Sequence, residues 1–464
     1  MKLNSSRTIK QPPARKPTQP LPTEPVELTI NALSHDGQGI GRYQGKTAFI
    51  ANALPGEQVL ARLTEEKAKF YTGHTDSIIT ASSHRTEPAC PHYHQCGGCD
   101  LQHLENSEQL ALKQTQVLEQ LERIGNTKPE HIDLPLTGSH WHYRRSARIG
   151  INQLFDGEPI VGFRRRSSHL LTQIDSCRVL DKRVSDIFSR VREALRDTGD
   201  IKYITQIDVD LGDQGGYLSL RLKKPLNDQH LQIFTALAEH YELSLQLQVI
   251  GSDPQVDASG LTRYALDQLE LTFRPGDFIQ VNAEINQQMV NKACQLLQLK
   301  PDDKVLDLFC GLGNFSLPVA AAGAPVTGIE GSLTMVEQAQ RNALHNQLQN
   351  CQFFCANLAD DLKGLQWFRQ SYNKVILDPP RTGAASLIPQ ICRLRPELIL
   401  YISCNPGALA RDSKLLSEQG YQLNNFLVMD MFPQTHHIES MALFVRGKKK
   451  APKKKLFSGK GISR

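Results

Sequence analysis

Three apolar runs in the second half of the chain end in groups that can do chemistry. KVLDLFCGLGNFS (304–316) contains the turn Gly311-x-Gly313, NKVILDPPR (373–381) closes on Asp378 and two prolines, and ELILYISCNP (397–406) closes on Cys404. Short apolar runs separated by helical segments read as strands of a doubly wound parallel sheet, whose carboxyl ends share one edge. A carboxyl group, a thiol and a ligand-binding turn are thereby expected to converge. A thiolate in that place could add to an electrophilic carbon. A cysteine in a strand is more often a small hydrophobe, but Asn405 and Pro406 break this strand and leave Cys404 at its edge. A thiol of lowered pKa would suit such a position.

Gly311 and Gly313 let the backbone come close to a ligand at the end of the first strand. Phe315 and Ser316 stand where a dinucleotide fingerprint would carry its third glycine, so a cofactor without a pyrophosphate fits better than NAD. The second run, PVTGIEGS, ends near Glu330, 23 residues after Asp307, where a carboxylate can accept hydrogen bonds from ribose hydroxyls. The third, QFFCAN, ends in Asn357, a candidate adenine contact. Taken alone, the turn and the acid are equally compatible with a structural turn that holds no ligand.

The doubly wound pattern begins near residue 300. Before it, residues 24–80 alternate VELTINAL, KTAFIANA, EQVLARLT and HTDSIIT with glycine-bearing turns, the pattern of a small closed barrel. Residues 105–124 place Leu110, Val117, Leu118, Leu121 and Ile124 on one stripe, so this helix is expected to dock on a neighbouring domain, taken as the catalytic one. Between about 140 and 275 the chain mixes α and β, with basic patches HYRRSAR and GFRRRSSH, and its pattern assigns no fold. No internal repeat is found. The expected division is tails at 1–20 and 447–464, a barrel at 21–80, a central domain at 81–275 and an α/β domain at 276–446.

Fourteen of the 53 Lys and Arg residues lie in 1–20 and 446–464, which hold no acid, so the body between them carries 39 bases against 48 acids. The tails are expected to be disordered arms that hold polyanions by counterion release, the bland alternative being solubility segments without a partner. No stretch approaches the ~18 consecutive apolar residues of a membrane span, and no apolar segment precedes a cleavage site near the N-terminus. A soluble, cytoplasmic protein with no membrane association is expected. The ten cysteines are irregularly spaced, which argues against a disulfide framework and for metal or catalytic roles. Cys90-x5-Cys96-x2-Cys99 sets three soft ligands in a tight loop, with Cys177 in IDSCR the best fourth. By count, four thiolates suit zinc and an iron–sulfur cluster equally.

The run SHDGQGIGR followed by FIANALPGEQV resembles the TRAM domain, an OB-like RNA-binding barrel of RNA-modifying enzymes. A closer resemblance lies further on. FIQVN (278–282), DLFCGLGNFS (307–316), DPPR (378–381), SCNP (403–406) and HIES (437–440) occur in the order seen in RNA m5U methyltransferases. That resemblance implies a Rossmann-like class I domain that transfers a methyl group from S-adenosylmethionine to C5 of a uracil. It implies Cys404 as the nucleophile that adds at C6 and places enolate density on C5. Glu439 then matches the base that removes the C5 proton so that the cysteine can leave. Gln280, Phe309, Asn314, Glu330 and Asn357 match cofactor-contacting positions, and Asp378 resembles a residue that contacts the ligands near the reaction centre. The apolar neighbours Ile438, Met441 and Leu443 suggest a raised pKa for Glu439. Without the other motifs it would read as a surface residue on a hairpin.

A subgroup of this family carries a [4Fe–4S] cluster on the same cysteine pattern, which implies one on Cys90, Cys96, Cys99 and Cys177. Its implied role is structural or RNA-positioning, since methyl transfer moves no single electrons. Barrel and cluster together are similar to the members that modify the uracil at position 1939 of 23S ribosomal RNA. The implied partner is therefore 23S rRNA, bound by a monomer without an obligate protein partner. Another rRNA or tRNA uracil is the alternative substrate. Radical S-adenosylmethionine enzymes also combine such barrels with clusters, but on C-x3-C-x2-C with one iron left open. A non-catalytic RNA-binding assembly factor is opposed by the intact set Asp378, Cys404 and Glu439.

Overall fold

The computed structural model of the protein describes residues 21–199, 201–252 and 261–447, so the basic tails expected at the two ends lie outside the described residues apart from Gly447. The chain divides into two compact units, Met1–Thr86 and Glu87–Arg464.

In the first unit six strands form one sheet: β1 (Val26–Thr29), β2 (Ala32–Leu33), β3 (Gly39–Tyr43), β4 (Lys46–Ala51), β5 (Gln58–Glu66) and β6 (Phe70–Thr80). Their order is β1-β5-β6-β4-β3-β2, so the two outer strands are consecutive in the chain. The sheet curls round a core of Leu28, Ile30, Ala48, Ile50, Val59, Ala61 and Leu63. At the crossing of β5 and β6 a Cβ on Gly73 would lie 2.5 Å from the Arg62 carbonyl oxygen, which is why glycine stands there. Buried Glu57 accepts hydrogen bonds from Arg85 Nε (2.6 Å) and from the N–H groups of Leu54 (2.8 Å) and Ser82 (3.1 Å). This pair fastens residues beyond the last strand to the sheet.

The second unit opens with α1 (Asn106–Arg123) and β7 (His131–Ile132). A six-stranded sheet follows, made of β8 (Ser146–Gln153), β9 (Pro159–Arg164), β10 (Leu171–Gln173), β11 (Ile204–Leu211), β12 (Gly216–Leu222) and β13 (Ser244–Val249). Its order is β10-β9-β8-β11-β12-β13. Helices α2 (Ile187–Thr198) and α3 (Asp228–His240) share its core through Phe188, Val191, Leu195, Phe234 and Leu237. The pattern assigned no fold here because two of the pairings that assemble the sheet are non-local: β8 pairs with β11 beyond α2, and β12 and β13 are parallel neighbours only by way of α3. The hairpin β14 (Thr262–Leu266) and β15 (Leu269–Phe273) leads into the last layer.

That layer runs α4 (Ala283–Leu297), β16 (Val305–Leu308), α5 (Ser316–Ala321), β17 (Val326–Glu330), α6 (Leu333–His345) and β18 (Cys351–Cys355). It continues with β19 (Lys374–Leu377), α7 (Ile388–Leu394), β20 (Leu398–Ser403), α8 (Pro406–Glu418), β21 (Tyr421–Met429) and β22 (Glu439–Arg446). The sheet order is β18-β17-β16-β19-β20-β22-β21-β7. The first five are parallel, and β22 is antiparallel to both its neighbours. The winding direction reverses between β16 and β19, which opens a crevice at their carboxyl ends.

Both faces of this sheet are buried, as expected of strands covered by helices on two sides. Leu306, Leu308, Val375, Leu377 and Ile399 pack with α1, α7 and α8, while Val305, Ile376, Leu400 and Ile402 pack with α4, α5 and α6. Each fully buried aliphatic side chain contributes about 1.5–3 kcal/mol. The two apolar layers therefore hold the strand ends in place. Helix α1 belongs to this core through Leu110, Val117 and Leu121, whereas Ile124 at its C-cap is half exposed and falls off the stripe. Among the described residues no helix is long and apolar enough to cross a membrane.

Candidate active site

The turn after β16 has an unusual backbone. Phe309, Gly311 and Gly313 have φ of +66°, +54° and +99°. A left-handed phenylalanine costs on the order of 1–3 kcal/mol, and here the N–H groups of Phe309 and Cys310 are both held by the Ile329 carbonyl (2.9 and 3.1 Å). The result is an arch at the mouth of the crevice. Glu330 is fixed across it, accepting from the N–H groups of Gly311 (3.2 Å), Gly331 (2.8 Å) and Ser332 (3.1 Å). Asp307 is wholly buried and accepts from Ser316 Oγ (2.5 Å). Burial pushes its carboxyl up to about 7, with nearby Asp378 and Glu330 adding to the rise against the Ser316 hydrogen bond.

Asn314 exchanges two hydrogen bonds of 2.9 Å with Asn286 of α4 and accepts a third from Tyr264 Oη (3.0 Å). The Arg145 guanidinium lies 4.4 Å from the Tyr264 ring centre, and its Nε donates to the Gln280 carbonyl (2.8 Å). Gln280 and Asn314 are thus joined in one polar chain. Sequence reasoning missed Arg145, Tyr264 and Asn286 as members of it. Arg145 was visible only as part of a basic patch, and the other two carry no local signal. Asn357 is exposed beyond β18, and its side chain bonds within its own turn to Ala359 N–H (3.1 Å) and Asp360 (3.2 Å).

The reactive edge lies at the ends of β19, β20 and β22. Ser403 and Ser440 are opposite one another across β20 and β22, so the next residues outward, Cys404 and Glu439, meet at the sheet's end. Cys404 directly precedes α8, whose cap Asn405 accepts from the N–H groups of Gly407 and Ala408 (3.0 and 3.2 Å). The Asn405 amide also donates to the Arg381 carbonyl (3.0 Å), tying the cysteine turn to the DPPR loop. The helix end brings positive potential to this place. Burial nevertheless pushes the Cys404 thiol up to about 11, with Glu439 and Asp378 raising it further and Arg381 opposing. The lowered pKa that the sequence suggested is not found, because two carboxyl groups and desolvation outweigh one guanidinium and a helix end.

Burial alone pushes the Asp378 carboxyl up to about 7. Glu439 is 6% exposed, and burial drives its carboxyl well above the usual range, Asp378 adding and Arg381 opposing. A hairpin surface position is thereby excluded for it. His437 is pushed down to about 4, first by burial and then by His436 and Arg381, so it is neutral at physiological pH. Cys404, Asp378, Glu439 and Arg381 form one electrostatic constellation, which Asp378 extends to Asp307 and the arch. Arg381 was legible only as the last letter of a motif.

The four loop cysteines also affect one another. Burial pushes the Cys96 thiol up to about 11, Gly98 N–H opposing (3.3 Å to Sγ) and Cys177 and Cys90 adding. The Cys99 thiol is raised by burial and then by Cys177, Cys96 and Cys90, against a hydrogen bond with Gln102. That of Cys177 is raised by burial, with Cys90 adding. Four soft donors without a carboxylate among them match the chemistry of a thiophilic metal or cluster. As the side chains stand, no group of three or more His, Cys, Asp or Glu among the described residues is disposed to hold a metal ion.

A parallel sheet wound in both directions, with an antiparallel last strand inserted beside β20 and a two-glycine arch at the reversal, defines a Rossmann-like methyltransferase fold. Within that class the chain belongs to the tRNA (uracil-5-)-methyltransferase family, whose profile matches residues 105–447. The TRAM domain profile matches residues 23–75. A curated relative from Legionella pneumophila (strain Paris), the 23S rRNA (uracil(1939)-C(5))-methyltransferase RlmD, is 43% identical over 425 residues, covering 89% of this chain and 96% of that one. The RlmD of Shewanella sediminis (strain HAW-EB3) is 41% identical over 424 residues, covering 90% and 95%. Among solved structures, the Pyrococcus abyssi tRNA (uracil-54, C5)-methyltransferase in complex with S-adenosyl-L-homocysteine shares the fold, with a TM-score of 0.70 and 23% identity over 90% of this chain and 100% of that chain.

Proposed function

We propose that this protein transfers a methyl group from S-adenosylmethionine to C5 of a uracil in 23S ribosomal RNA, at the position 1939 that its RlmD relatives are named for. The observation that carries the reading is the meeting of Cys404 with Glu439 and Asp378 at the strand ends beside the glycine arch. C5 of uracil is too poor a nucleophile to take a methyl group unaided. The Cys404 thiolate adds at C6, which sends an electron pair onto C5 as enolate density. S-adenosylmethionine supplies an electrophilic methyl group on a cationic sulfur, and that charge favours ionised neighbours in this acidic pocket. Arg381 and the α8 N-terminus favour the thiolate in the same sense.

Glu439 then takes the C5 proton, and Cys404 is eliminated. A carboxyl group buried to a raised pKa is a stronger base than an exposed one, which suits it to this step. Gln280, Phe309, Asn314, Glu330, Asn357 and Asp378 hold the cofactor, with Glu330 on the ribose and Asn357 on the adenine. The barrel at 21–80 and the basic patches of the central domain bind RNA. The enzyme acts as a cytoplasmic monomer without an obligate protein partner.

Cys90, Cys96, Cys99 and Cys177 hold a [4Fe–4S] cluster in a structural role, and the reading rests on the donor chemistry of the loop. Iron and sulfide analysis of protein purified without oxygen, compared with Cys96→Ser, checks this; zinc in place of iron would overturn it. The catalytic reading is tested by methyl incorporation into a 23S rRNA fragment and into tRNA by wild type and Cys404→Ala. Undiminished incorporation by the variant would sink the covalent mechanism, and preference for tRNA would sink the substrate.

A further inference from the structure

Glu439 follows a loop, residues 430–438, that joins β21 to β22 and is anchored by segments outside the sheet. Asp100, the residue after Cys99, accepts the backbone N–H of His436 on Oδ1 (2.7 Å) and pairs Oδ2 with the His436 ring Nδ1. The N–H groups of Asp100 and Leu101 both donate to the Gln434 carbonyl (3.0 Å each). Gln434 has φ of +69°, a conformation that side chains rarely adopt unless held. Its N–H donates to Gln109 Oε1 (3.0 Å) and its amide to Asn106 Oδ1 (2.9 Å). Lys113 Nζ reaches Asp430 Oδ1 (2.9 Å) and the Phe432 carbonyl (3.0 Å). The cysteine loop and α1 thus grip the loop that delivers Glu439, and the Asp100 contact lies three residues from it.

We propose that Asp100 is a positioning residue for the elimination step: its clasp on His436 sets the direction of the 430–438 loop and so aims the Glu439 carboxylate at the C5 proton. This rests on the reading of Glu439 as the base. In that step the C5 proton passes to the Glu439 carboxylate, and the C–H electron pair becomes the C5–C6 double bond. The C6–S bond breaks with its pair returning to the Cys404 sulfur. Methyl transfer comes earlier and does not need this proton removed. A misdirected base therefore slows resolution of the covalent adduct more than its formation. The cysteine loop gains a task in this way: it is the segment to which the base is moored.

The test uses the full chain and a 23S rRNA fragment, with wild type, Asp100→Ala, Asp100→Asn, His436→Ala and Glu439→Gln. Single-turnover methyl incorporation, steady-state turnover, SDS-stable protein–RNA adduct and metal content are measured for each. Since small misplacements of a catalytic group cost up to about 100-fold, Asp100→Ala should lower steady-state turnover at least about tenfold. Single-turnover incorporation should stay within about twofold, and adduct should accumulate at unchanged metal content. His436→Ala should show the same split more weakly, because the backbone N–H remains. Asp100→Asn keeps an acceptor for that N–H and should recover most of the turnover. Wild-type turnover in Asp100→Ala, with adduct accumulating in Glu439→Gln, would overturn the clasp and leave the base assignment standing. Absence of adduct in Glu439→Gln would overturn the base assignment and this proposal with it. Equal losses in both rates, or loss of metal, would mark Asp100 as structural only.

Discussion

Cys404 and Cys96 have thiols that burial pushes to the same level, about 11, yet their neighbours differ in kind. Around Cys404 stand two carboxyl groups, one of them near 7, and an opposing guanidinium. The carboxyl groups can take up and give back a proton, so the thiol sits where a bond can be made and undone. Around Cys96 no carboxyl group takes part: two further thiols, Cys177 and Cys90, add to the rise, and the Gly98 N–H and the Arg166 guanidinium oppose it. Such a set suits a shared positive centre. The role of a buried cysteine is written in what surrounds it, and its own pKa does not distinguish the two cases.

The sharpest way to break this comparison is to remove each sulfur in turn. Cys404→Ala should cost on the order of 10⁴–10⁶-fold in methyl incorporation, as for other covalent nucleophiles, and should leave no SDS-stable adduct. Cys96→Ser should retain measurable incorporation in the same assay. An equal loss in the two variants would erase the distinction between a reacting and a holding thiol. Next in size, Glu439→Gln should lower steady-state turnover by about 10²–10⁴-fold, the usual weight of general base catalysis. Quenched-flow sampling should find the first methyl transfer preserved and the adduct trapped.

A third effect concerns stability. Asp378 titrates near 7 when folded and near 3.8 when unfolded, so between those values the folded chain keeps a proton that the unfolded chain has lost. Its contribution therefore falls as pH rises through that window, by up to about 4 kcal/mol. Asp378→Asn lacks this slope, and thermal melts should show it gaining on wild type between pH 5 and pH 8. Parallel melting curves would mean that the carboxyl group is not held neutral. The smallest effect is at the helix behind the nucleophile. Asn405→Ala removes a cap and a tie to Arg381, and should cost about 1 kcal/mol of stability, read as a shift in Tm of a few degrees.

Much of the fold was legible because strands, turns and helix stripes are local patterns. The apolar runs ending at Asp378 and Cys404 became β19 and β20, and the two-glycine turn became the arch, since glycine types and strand periods act over a few residues. The central sheet was not legible, because its runs of consecutive strands are joined by long-range pairings: β8 pairs with β11 only after α2, and the parallel pair β12–β13 is joined only through α3. Arg381 and Asp100 were missed for a related reason. A charged residue in a loop has no periodicity, and its task is set by a partner as distant as His436.

The sequence by itself determined which residues could react, which turn could face a cofactor and which cysteines could share a centre, because residue type and spacing carry that information. Tertiary structure alone decided that Glu439 meets Cys404, through the register that sets Ser403 opposite Ser440. It also decided the direction in which the thiol is shifted. A strand end and a helix N-terminus point towards a low pKa, but desolvation and two converging carboxyl groups push it up, and both depend on which distant segments close over the site.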